Sequence, residues 1–193
     1  LQIIFTGLAV VCLSLCPRLV SPGSYKAAGQ IGPLPRPQDT LYEPEQRWAR
    51  YADSQRLLVV SCEAIQPMAK WNFKDQFHNV DHDDVGFVTS VIESLVASEI
   101  TDPRMIYATG HSSGGLFCYR LAKQTDLFAA LAPMSCGMAK GDHVPEEGTR
   151  RVSIMQVIGD QDKSFHGSSN EKVTMYSADE RINIWRIFNQ CTR

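Results

Sequence analysis

Met105-Ile106-Tyr107-Ala108-Thr109-Gly110-His111-Ser112-Ser113-Gly114-Gly115 decides how the rest of the chain is read. A β-prone apolar run ends in Gly-x-Ser-x-Gly, and Leu116, Tyr119 and Leu121 follow at helical spacing. A serine in a sharp strand–turn–helix junction has its hydroxyl pushed out of the fold, where a base and a carbonyl can reach it. The glycines are needed because the serine backbone is strained and strand and helix pass close together. Ser112 is therefore the candidate nucleophile. The backbone N–H of Ser113, at the start of the helix, is the candidate oxyanion donor.

Working outward, Leu57–Cys62, Phe128–Met134 and Val152–Ile158 are short apolar runs, as expected of strands covered on both faces. Asp83 or Asp84 caps a helix whose apolar positions are Val85, Val88, Ile92 and Leu95. Thr101-Asp102-Pro103 reads as a turn. Ala178–Gln190 reads as a closing helix with Ile182, Trp185 and Phe188 inward. A short helix is expected over 46–55, and Lys140–Arg151 reads as polar loop. Strands alternating with helices predict an α/β fold: a mostly parallel sheet with helices on both faces.

The chain has 193 residues, 44% hydrophobic and 21% charged, which suits a globular domain. A net charge of −2 with no long basic run gives nucleic acid nothing to bind. Residues 3–16 are almost wholly apolar. The run is too short for a stable membrane span and fits a secretory leader, so an extracellular location is expected. The expected organisation is leader and lead-in over 1–28, a Pro-rich linker over 29–46, and a partial α/β domain over 47–193. Cys62, Cys118, Cys136 and Cys191 would remain after leader removal, an even number suited to disulfides. His78 and His82 with Asp83 and Asp84 read as loop polarity and a helix cap, so no metal and no organic cofactor is expected.

Ester hydrolysis needs a nucleophile, a base, a group that orients the base, and oxyanion donors. After a nucleophile elbow the acid comes next and the histidine last. Asp162, in Gly159-Asp160-Gln161-Asp162, sits just past an apolar strand and is the first choice of acid, with Asp160 second. No histidine fits the base well. His143 precedes the acid, His166 follows it by only four residues, and His111 lies inside the elbow.

The stretches Asp83–Phe87, Asp102–Arg104, Ile106–Gly115, Tyr119–Ala122 and Phe128–Pro133, with the Gly159-x-x-Asp162 turn, together resemble the polyhydroxybutyrate depolymerase and feruloyl esterase-like family. The likeness covers about residues 48–193. It implies a secreted α/β-hydrolase acting on feruloyl or acetyl esters of polysaccharide, or on hydroxyalkanoate esters. It also implies Ser112 as nucleophile and Asp162 as acid. Two departures stand out: the family's Gly-His-rich loop beyond the Trp helix, and its early His-Gly turn supplying a second oxyanion donor, are not found here. A non-catalytic hydrolase-like binding protein is therefore the alternative, and an acyltransferase on the same scaffold a third reading. Trp71, Phe73 and Phe77 are candidates for an aromatic acyl pocket, against the ordinary reading that they pack on the core.

Overall fold

A computed structural model describes residues 8–14, 57–62, 64, 71–74, 83–169 and 173–192. Five strands form the main sheet: β1 (Leu8–Ser14), β2 (Leu57–Cys62), β3 (Thr101–His111), β4 (Ala130–Met134) and β5 (Ser153–Ile154). Their order is β2-β1-β3-β4-β5. β3, β4 and β5 are parallel, and β1 runs antiparallel to both β2 and β3. Four strands therefore share one direction and one opposes them, in an α/β fold. Among the described residues three helices accompany them: α1 (Asp84–Ala97), α2 (Ser113–Gln124) and α3 (Ala178–Phe188). A two-residue hairpin, β6 (Ser168–Ser169) with β7 (Thr174–Met175), precedes α3.

Local chemistry sets most element boundaries. Asp83 accepts from the Gly86 N–H at 2.9 Å and caps α1. Ser177 and Glu180 form a reciprocal capping box at α3, with Ser177 N–H donating to Glu180 Oε2 at 2.7 Å. The buried face of α1 carries Val88, Ile92 and Leu95, as the helical spacing predicts. The run Val152–Ile158 is a strand only at Ser153–Ile154, with one further bridge from Val157 to Met134.

Three readings need correction. Residues 101–103 do not form a turn; they begin β3, which joins β1 through a register shift. Ile182 does not point inward: it is 43% exposed, and Arg181 is buried instead. One step along a helix rotates a side chain by about 100°, so Arg181, not Ile182, lines up with Ala178 and Trp185. Within the apolar run expected to be a secretory leader, Leu8–Ser14 forms β1, which lies between β2 and β3. Its pairing satisfies backbone groups of β2 on one side and β3 on the other. Finally, Cys118 and Cys136 are buried free thiols, Cys191 is an exposed one, and no disulfide forms among the described residues. Even parity permits a disulfide framework, but this core is already closed by apolar packing. The expected helix over 46–55, the whole linker over 29–46, Phe77, His78 and His82 lie outside the described residues.

The described helices all pack on one face of the sheet. Ile106, Ala108 and Leu131 point to that face and join one core with Val88, Ile92, Phe117, Leu121 and Trp185. Successive crossovers move in one direction across the sheet, and right-handed connections then place their helices on a common side. On the opposite face, Met155 and Val157 are 63% and 44% exposed. Among the described residues no helix covers that face.

Candidate active site

Ser112 sits at the junction of β3 and α2 with φ 54° and ψ −116°. A non-glycine residue in this region costs on the order of 1–3 kcal/mol and persists only where its surroundings fix it. Here the Ser112 N–H donates to Met134 O at 3.1 Å, and the Ser112 carbonyl accepts from the Leu116 N–H at 3.0 Å. The glycines are sterically required. A Cβ on Gly110 would collide with the Gly114 backbone. A Cβ on Gly115 would lie 2.6 Å from Cys136 Sγ and 3.0 Å from Gly110 O. The N–H groups of Ser113, Gly114 and Gly115 fall in the first turn of α2, where the helix supplies no acceptors and its dipole favours negative charge. Ser112 is half-buried, and Ser113 is buried with a hydroxyl that has no hydrogen-bond partner.

Asp162 lies in a tight turn beyond β5. Its N–H donates to Gly159 O at 3.0 Å, and its carbonyl accepts from the Phe165 N–H at 2.9 Å. Its Oδ1 accepts from the Ser164 N–H at 2.8 Å. The carboxylate is thus held by its own turn, while Asp160 is exposed. Cys136 links this turn to the elbow. Its sulfur packs under Gly115, and its thiol is pushed up to about 12 by burial, drawn down by Arg181 and raised further by the Asp162 charge. The loops after β4 and β5 are also joined directly, by Ser135 N–H donating to Val157 O at 2.9 Å. Cys136 thus packs on the elbow at Gly115 and feels the Asp162 charge, and no hydrogen bond joins Ser112 to Asp162.

No described histidine completes that pair. His143, read as part of a polar loop, is fully buried. Its Nδ1 accepts from the Ala139 N–H at 3.1 Å and its Nε2 donates to Phe73 O, so the pattern assigns the proton to Nε2. The rings of Phe73 and Tyr119 lie 6.2 and 6.1 Å away. Both nitrogens are committed to backbone, which makes His143 a core residue. His166 is exposed, edge-on to Phe165 at 5.1 Å, and hydrogen-bonds neither Asp162 nor Ser112. His111 sits across from Met134, on the face away from α2.

Of the aromatic residues considered for an acyl pocket, Trp71 and Phe73 pack on the core, and Phe77 lies outside the described residues. Trp71 is buried and stacks on Phe117 with centroids 4.8 Å apart. Asn72 N–H donates to Asp84 Oδ2 at 2.6 Å, and Arg120 Nη1 donates to Asn72 O at 2.6 Å. Phe73 packs partly buried against the same core. This short segment is a plug pinned between α1 and α2. Among the described residues there is no His/Cys/Asp/Glu group able to hold a metal, and no helix long and apolar enough to cross a membrane.

Two residues around the site were missed by sequence reading. Gln156 lies within an otherwise apolar strand run, and Arg181 falls on the inward stripe of α3 with Ala178 and Trp185. A lone polar group on a buried stripe is the signal that marks both, since it must find partners once inside.

Comparison with known proteins gives partial likeness to esterases. No family model matches the chain. Over 122 residues it is 30% identical to "Feruloyl esterase B" of Piromyces equi, covering 58% of this chain and 23% of that protein. Over 89 residues it is 32% identical to "Putative esterase NocK" of Nocardia uniformis subsp. tsuyamanensis, covering 45% of this chain and 26% of that protein. The chain thus spans about a quarter of the length of the curated relatives it matches, and its likeness is to esterases rather than to polyhydroxybutyrate depolymerases in particular.

Proposed function

We propose that this chain carries the nucleophile and acid of a serine carboxylesterase. The observation that carries the reading is Ser112 itself, a non-glycine residue at φ 54° on the N-terminus of a 12-residue helix. Nothing in the packing of that turn requires a hydroxyl, and the strain is the usual mark of a functional residue. In the proposed reaction Ser112 Oγ attacks the ester carbonyl. A histidine beyond the described residues takes its proton, Asp162 orients that histidine, and the Ser113 N–H donates to the oxyanion. The alcohol leaves with that proton, and water then releases the acid from the acyl-enzyme. The esterase relatives support the reaction class. Feruloyl or acetyl esters of polysaccharide are the first substrates to try, then hydroxyalkanoate esters.

A fluorophosphonate probe tests the nucleophile. In a chain that carries the triad histidine it is expected to label Ser112 and to leave Ser112→Ala unlabelled, as read by peptide mass. Turnover of p-nitrophenyl acetate by the 193-residue chain is expected to be negligible, because oxyanion stabilisation without a base leaves only a small part of triad catalysis. Brisk turnover that vanishes in Ser112→Ala would instead promote His166 to base. The second reading, a non-catalytic binding protein, is favoured by the absence of any described histidine on Ser112 or Asp162. A folded chain that resists the probe would select it.

A further inference from the structure

Arg181 is 1% exposed, and no carboxylate pairs with it among the described residues. Its donors go instead to neutral oxygens from separate parts of the chain. Nη1 donates to Cys136 O at 2.8 Å, Ser164 O at 3.3 Å and Tyr176 O at 3.4 Å. Nε donates to Gln156 Oε1 at 2.9 Å, and the same oxygen accepts from Tyr119 Oη at 3.2 Å. Nη2 is buried with no acceptor. A guanidinium buried without a counterion is costly, so its retention on an apolar stripe calls for a role that an apolar side chain would not fill.

The partners indicate that role. Cys136 follows β4 and touches the elbow at Gly115. Gln156 lies on the segment between β5 and the acid turn, and Tyr119 is on α2. Ser164 is the most telling. Its carbonyl accepts from Arg181, while its own N–H holds Asp162 Oδ1 at 2.8 Å. One residue therefore relays the guanidinium to the candidate acid.

We infer that Arg181 is a positioning residue that fixes the Asp162 turn against the elbow helix. The inference rests on reading Ser112 and Asp162 as nucleophile and acid. A lysine keeps the charge but is a single point donor on a flexible stem, and cannot reproduce the planar fork. A methionine fills similar space and donates nothing.

The test uses the 193-residue chain with Arg181→Lys and Arg181→Met, followed by amide hydrogen exchange and the ¹³Cγ shift of Asp162. The amides of Asp162, Phe165 and Gly167, all hydrogen-bonded within the turn, are expected to exchange at least about tenfold faster in both variants. Exchange in β3 and α1 is expected to stay within about twofold of wild type, and the Asp162 ¹³Cγ resonance to move. Wild-type exchange at the turn in Arg181→Met would reduce Arg181 to packing and overturn the inference. Full rescue by Arg181→Lys would overturn the role of the fork. If the Met variant does not fold, the Lys variant decides the matter alone. Failure of wild-type Ser112 to take the phosphonate sinks the esterase reading separately, since amide exchange at the Asp162 turn does not depend on the reactivity of Ser112.

Discussion

Ser112 is held in its strained conformation by neighbours that tolerate little added volume. At Gly115 an added methyl must displace Cys136, which is packed into the core. Gly115→Ala is expected to lose about 1–3 kcal/mol by overpacking, read as a lowered urea midpoint, and to slow phosphonate labelling because the elbow shifts. Asp102 offers a pH-dependent test away from the site. Hydrogen bonds from the Arg104 side chain and backbone lower its carboxyl from 3.8 to about 2. A depressed carboxylate pKa contributes stability that is complete above the unfolded value and fades as pH falls through the folded one. Between about pH 4 and pH 2 the wild type should therefore lose more of its urea midpoint than Asp102→Asn; equal losses would mean that the Arg104 contact adds nothing. At this scale the glycines and Ser112 were legible, because steric need writes itself into residue type. The burial of Arg181 and His143 was not, because a polar residue shows its partners only after long-range packing.

The elements divide in the same way. Helices α1 and α3 could be read from caps and spacing, since both signals lie within a few residues of one another. β1 could not, because an apolar run of its length serves equally as a leader or as a buried strand. Its pairing with β2 and β3 joins segments far apart in the chain, which no local signal announces. Deleting residues 1–28 is expected to make the chain insoluble or to lower its melting temperature sharply, since two strands lose their shared neighbour. A soluble product of unchanged stability would return the segment to a leader role. His143 joins two loops that sequence reading kept apart. His143→Ala is expected to destabilise by about 1–3 kcal/mol for each buried group left unpaired, Ala139 N–H and Phe73 O. Ser112 labelling should be unchanged in the folded fraction; a specific loss of labelling would instead bring His143 into the catalytic machinery.

Across the whole molecule, one apolar core on one sheet face organises the helices, the plug at Trp71 and the three buried cysteines. Burial pushes the Cys118 and Cys136 thiols up, so neither supplies thiolate at neutral pH. Iodoacetamide at pH 8 is expected to modify Cys191 in the native chain and to reach Cys118 and Cys136 only after unfolding, as followed by peptide mass. Equal labelling of all three would mean that the core is open. The sequence by itself determined the α/β class, the elbow, the caps and the acid turn, because each depends on steric limits or hydrogen bonds spanning a few residues. Tertiary structure alone decided that β1 lies between β2 and β3, that the described helices share one face, that Cys118 and Cys136 are buried apart from any disulfide, and which oxygens the buried Arg181 reaches. Those features depend on which distant segments meet, and burial then assigns each polar group its partner.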